Sequence, residues 1–226
     1  MIAAALAIPA TGAALVWACG RRPNLREAMT LAAAVLLFLA VLSLLPGVLA
    51  GERPELTLLE MLPGIALAFR VEPLGMIFAL VASGLWIVAS VYSIGYMRGN
   101  AEEHQTRFYV CFALSLAATI GVAFSANLAT LFLTYEALTL ITYPLVTHHG
   151  TPEAMRAGRV YLGILLATSI VLLLVAVGAT WVLAGTLELG GAPLLAGRVD
   201  GGVMGLLLAL YMFGTGKAAL MPVPNM

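Results

Sequence analysis

Seven stretches of this 226-residue sequence run for seventeen or more residues with at most one charged side chain each. That is about the length at which a helix, rising 1.5 Å per residue, crosses a hydrocarbon core of about 30 Å. Only helices and closed barrels can span lipid, because every backbone polar group must be satisfied within the structure. The runs sit at about 2–19, 29–49, 74–96, 108–124, 128–147, 159–183 and 203–221. They predict an all-α integral membrane protein of about seven transmembrane helices. Composition agrees, with 62% of residues hydrophobic and 10% charged, against about 25% charged in a soluble domain. The 11 basic and 11 acidic residues cancel, so no basic surface points to nucleic acid. The expected partners are the lipid bilayer and other proteins within it.

The connections test this segmentation independently. Only the turn "SANL", residues 125–128, leads from the fourth run into the fifth, which predicts an antiparallel pair of helices. Loops after the first, third and fifth runs hold Arg21, Arg22, Arg26, Arg98, Arg107, Arg156 and, at the next helix start, Arg159. The opposite loops hold Arg53, Arg70 and Arg198. The positive-inside tendency puts the larger set in the cytoplasm and the N-terminus outside, in a membrane expected to be the bacterial inner membrane. Segment 50–73 has three prolines and six charges, too many interruptions for a span. It is expected on the outer surface, with "ALAFRVE" a short strand. The chain divides into residues 1–73, two leading helices and this loop, and residues 74–226, the five remaining helices.

Several motifs carry no chemistry. Arginines follow the first apolar run, whereas a secretory signal carries its positive charge before it, so the run reads as a retained helix. Cys19 and Cys111 give neither a disulfide framework nor metal spacing. "GTGKAA" lacks the upstream glycine and the Ser or Thr of a phosphate-binding loop. His148 and His149 are adjacent and would diverge on a helix, so a loop role is expected. No metal, cofactor or catalytic centre is predicted.

Two ionisable groups stand inside apolar runs. Glu136 lies near the middle of "FLTYEALTLITYPL", and helical spacing sets Thr139, Tyr143 and Thr147 on one face beyond it. Pro144 leaves the carbonyl of Leu140 without its usual backbone donor. A wetted half-channel would satisfy these groups together; a neutral acid bonded to a neighbouring helix is the simpler alternative. Lys217, the only lysine, is flanked by Gly214 and Gly216 and followed by Pro222 and Pro224, so its helix is expected to loosen there. Desolvation makes an amine release its proton more readily, which suits proton loading and release; snorkelling to the interface is the alternative. Arg156 and Arg159 read first as positive-inside anchors.

The wording "FRVEPLGMIFALVASGLWIVASVYSIGYMRG", then "FYVCFALSLAATIGVAFSANLATLFLTYEALTLITYPLVTH" and "GTGKAALMP", resembles the antiporter-like proton-translocating subunits of complex I, Mrp cation/proton antiporters and membrane-bound hydrogenases. Around Glu136 it looks closest to the D-type member of the Mrp antiporters. The resemblance runs from about Phe69 to Met221. It implies that Glu136 and Lys217 form a proton-relay pair and that Arg159 occupies the family's basic position in the sixth helix, where it would tune its neighbours. It further implies membership of an Mrp-like or complex I-like assembly moving protons, with sodium an open second cargo. Any redox chemistry would belong to that complex. Family members continue through a second repeat, while this sequence stops at "MPVPNM", so the expected fold is the N-terminal half of an antiporter-like subunit. A short homologue, half of a split gene and a truncated reading frame are open alternatives, as is a structural or assembly subunit that conducts nothing.

Overall fold

The computed structural model describes residues 1–190, 194–195 and 197–216. Its helices are α1 (Ile2–Ala18), α2 (Pro23–Leu42), the short α3 (Leu45–Leu49), α4 (Pro73–Gly99), α5 (Gln105–Ala123), α6 (Leu128–Val146), α7 (Pro152–Thr168), α8 (Val175–Ala184) and α9 (Gly201–Gly214). A hairpin, β1 (Glu55–Leu62) and β2 (Ile65–Arg70), lies between α3 and α4. A π-helical segment, Ser169–Leu174, joins α7 to α8. Five apolar stretches are long enough to cross a membrane: Pro23–Leu49, Pro73–Gly99, Gln105–Ala123, Leu128–Val146 and Pro152–Ala184. α1 and α9 are shorter apolar helices, which gives seven apolar rods among the described residues, one at each predicted span.

Helix starts explain most boundary differences. α2 begins at Pro23 rather than 29, with extended Arg22 before it and proline in the first turn. α7 begins at Pro152 rather than 159, because Thr151 accepts a hydrogen bond from the Ala154 amide and Glu153 lies in the first turn. This is a standard helix start, but its first turns are polar and hydropathy overlooks them. Arg159 is therefore two turns inside the helix and exposed, not at its start.

The predicted strand is β2, and it has a partner that hydropathy does not mark. β1 pairs antiparallel with it, from Glu55 opposite Arg70 to Leu62 opposite Ile65, around a Pro63–Gly64 turn in which Gly64 takes a positive φ. β2 docks on the turn between α5 and α6. The Arg70 amide donates to Phe124 O (2.6 Å), and the Ala126 amide to Ala68 O (3.0 Å). Asn127 caps α6 through the Thr130 amide (2.8 Å) while its side-chain nitrogen donates to Ala66 O (2.7 Å).

The larger core lies among α1, α2, α4, α5 and β2. Trp86, Leu37, Met76, Ile120 and Phe124 are among its fully buried members. Crossings are close where residues are small: a Cβ on Gly12 would lie 2.6 Å from Ala33 Cβ, and one on Gly75 only 2.1 Å from Ala123 O. Within this bundle, Trp86 Nε1, Ser90 Oγ, Tyr109 OH and Arg26 Nε are buried without a protein hydrogen-bond partner. Such a group left dry costs about 1–3 kcal/mol. A second, smaller core gathers Leu128, Leu173, Val177 and Leu187.

Candidate functional site

The loops separate into two ends of the molecule. At one end Arg26 donates to Gln105 Oε1 (2.7 Å) and Thr106 Oγ1 (3.2 Å), and Arg107 donates to His148 O (2.6 Å). Arg98 and Arg26 both pair with Glu27, and Arg98 also donates to Asn24. At the hairpin end Arg70 donates to Glu55, Glu188 and Leu189 O, and Arg53 pairs with Glu72. Arg198 donates to Ala184 O. Arg26, Arg98 and Arg107 thus fall at the opposite end from Arg53, Arg70 and Arg198. The buried carboxylate Glu27 escapes a hydropathy reading because the second apolar run begins only at residue 29. An acid between two arginines, Arg26 and Arg98, at helix ends is the signal that an earlier helix start would reveal.

Glu136 sits in the middle of α6 and is half-buried. Thr139 is buried and donates to Tyr135 O (3.0 Å); Thr147 is buried and donates to Tyr143 O (3.0 Å). The far end of this face packs on α7: a Cβ on Gly158 would lie 2.2 Å from Thr147 Cγ2 and 3.3 Å from Tyr143 Cε2. Gly158 is buried and neighbouring Arg159 exposed, so α7 turns its glycine, not its arginine, to Tyr143 and Thr147. Pro144 is accommodated inside α6.

A contact with no signal in the sequence lies beside Glu136. Tyr135 OH donates to Thr215 O (2.9 Å) at the C-terminal end of α9. α9 is held further against α8 by Tyr211 OH and Thr180 Oγ1 (2.8 Å), and against the π-helical segment at Gly214, where a Cβ would lie 2.6 Å from Leu173 N. Such a local change of winding alters which side chains share a face, and here the altered segment packs on α9. Lys217 lies outside the described residues, two positions beyond Thr215. Among the described residues no three His, Cys, Asp or Glu side chains gather as metal ligands.

His148 follows α6 in the loop and is pressed against Phe108, edge to face at 6.0 Å between centroids. Burial, with Arg107 adding to it, pulls its imidazole below the ordinary value of 6.5. His149 is exposed. The adjacent pair thus has a loop placement, with one ring packed and one in the open.

The family described as NADH-ubiquinone oxidoreductase (complex I), chain 5 N-terminus, matches residues 63–109, from the hairpin turn through α4 into α5. Subunit A1 of the Na+/H+ antiporter of Staphylococcus aureus is 29% identical over 115 residues, which are 50% of this chain and 14% of that protein. The Mrp complex from Dietzia sp. DQ12-45-1b contains a chain with the same fold, with a TM-score of 0.74 at 21% identity over 98% of this chain and 24% of its own. An archaeal membrane-bound sulfane sulfur reductase gives 0.74 at 21% identity, over 95% of this chain and 33% of its own. Respiratory complex I from Thermus thermophilus gives 0.68 at 21% identity, over 96% of this chain and 44% of its own. The chain thus spans less than half the length of each of these relatives. Residues 63–109 thus match the complex I chain 5 N-terminal family, half of the chain is similar in sequence to an Na+/H+ antiporter subunit, and nearly all of it shares the fold of membrane subunits found in Mrp complexes and complex I.

Proposed function

We propose that this chain carries protons as one membrane subunit of a larger Mrp-like or complex I-like assembly, with Glu136 and Lys217 as its titrating pair. The observation that carries the reading is the placing of Glu136: a half-buried acid in mid-helix, next to the Tyr135 side chain that ties α6 to the end of α9. Intramembrane acids are costly and concentrate on ion pathways. If the carboxylate and the ammonium come within about 4 Å at an effective dielectric near 20, their attraction is about 4 kcal/mol. That suffices to change which of the two holds the proton when either moves. Thr139, Tyr143 and Thr147 extend the polar face towards the arginine end, and Arg159 acts at a distance through its fixed charge. The cytoplasm is assigned to the arginine end, which puts the N-terminus outside. Sodium is tested as a second cargo by the cation dependence of transport.

An assembly role without conduction is the competing reading. It draws on the threonine hydroxyls, which bond back to carbonyls of their own helix, and on the packing of Thr147 against Gly158. Proton flux into proteoliposomes holding the chain with its co-purifying partners separates the two. With wild type and Lys217→Ala incorporated at equal levels, conduction predicts flux that disappears in the variant. Equal flux from both removes Lys217 from the path, and no flux from well-folded wild type leaves the assembly role.

A further inference from the structure

The four unpaired polar atoms of the first bundle are not scattered. Trp86 and Ser90 lie one turn apart on the buried face of α4, which continues to Met97. The Met97 carbonyl accepts from Gln105, and Gln105 accepts from Arg26. Arg26 Cζ stands 5.1 Å from the centroid of the Tyr109 ring. Residues Ala33, Ala34 and Ala113, on the helices packed with α4, share the same core. Unpaired groups therefore run from the arginine end towards the middle of the bundle.

Ser90 is unusual among the α4 serines. Ser83 donates to Ala79 O (2.7 Å) and Ser93 to Ala89 O (2.6 Å), each one helical turn back. Ser90 makes no such bond although it is 0% exposed. Trp86 Nε1 and Arg26 Nε can only donate. All four groups can thus be served by one kind of partner, a small molecule with acceptor lone pairs and protons of its own. Arg26 also lines a crevice of about 470 Å³ at the arginine end, together with Pro23, Glu102, Gln105, Thr106 and Arg107. The Glu27 carboxylate next to Arg26 already supplies negative charge there, which favours a neutral acceptor over an anion.

We infer that water enters from this crevice and hydrates a column inside the α2, α4 and α5 bundle, past Arg26 and Tyr109 to Ser90 and Trp86. Buried water commonly satisfies two to four polar groups in this way. The column is separate from the Glu136 face, and its existence does not depend on proton transport by Glu136 and Lys217.

The indole proton of Trp86 reports on it. In nanodiscs containing the chain with its co-purifying partners and 15N-labelled tryptophan, exchange into D2O is followed for the Trp86 indole and the Trp86 backbone amide. Trp86→Phe assigns the signals. A hydrated column predicts indole exchange at least 100-fold faster than the amide of the same residue, unchanged when chloride is replaced by gluconate. An indole protected as strongly as that amide would overturn the proposal, as would exchange that follows the chloride concentration, which would mark an anion site.

Discussion

The two halves of the chain bury their polar groups in opposite ways. From α1 to α5 the helices surround one core and lock an acid, Glu27, between Arg26 and Arg98. From α6 onward the core is small and the central acid, Glu136, is half-buried on a helix whose most apolar stretch is only 11% buried, against 44% for α5. α7 contributes one buried residue, Gly158, and α9 two, Leu207 and Gly214. An acid clamped between two arginines builds structure, while one on a lightly packed helix can respond to charge nearby. Under the proposed function, the first half is scaffold and the second is the working surface.

The largest effect should come from the locked acid. Glu27→Gln leaves Arg26 buried beside a neutral amide, and loss of one member of a buried pair costs about 3–5 kcal/mol. Thermal unfolding in detergent should show it. Glu136→Gln should leave the melting temperature nearly unchanged, and equal losses at the two sites would break the comparison. Packing gives the next contrast. Gly75→Ala, whose Cβ would meet Ala123 O, should destabilise by about 3 kcal/mol through overpacking. Gly163→Ala in α7, where no atom lies within 4 Å of the added carbon, should be neutral or slightly stabilising.

Tyr135→Phe removes the bond to Thr215 O. A loss of about 1 kcal/mol is expected, together with faster hydrogen exchange at the end of α9 and none at α4. The smallest effect concerns His148. Its folded value is lowered, so it contributes stability that is present above pH 6.5 and lost as pH falls through the folded value. His148→Asn should flatten the stability profile across that acidic window without moving the neutral plateau.

Much of this is legible in the sequence, because lipid enforces long apolar helices whatever their partners. The seven rods, the tight turn at Ser125 and the strand through Phe69 follow from local composition. The sequence marks a turn at Asn127 but not its cap on α6 or its bond to Ala66 O, since that contact depends on where the hairpin folds back. Helix starts at Pro23 and Pro152 are hidden by polar first turns, and with them the position of Arg159 and the burial of Glu27. The Tyr135 tie and the packing of Gly158 on Thr147 arise between helices, where spacing along one helix gives no information. The π-helical winding at Ser169 leaves no mark in an apolar run such as "SIVLLL".

The most direct test is proton flux through the reconstituted complex with Glu136→Gln, measured beside the amount of chain assembled with its partners. Flux lost with assembly intact is the predicted result and would make Glu136 a carrier of protons. Flux retained at the wild-type rate, or assembly lost along with it, would contradict that role and make the acid part of the scaffold.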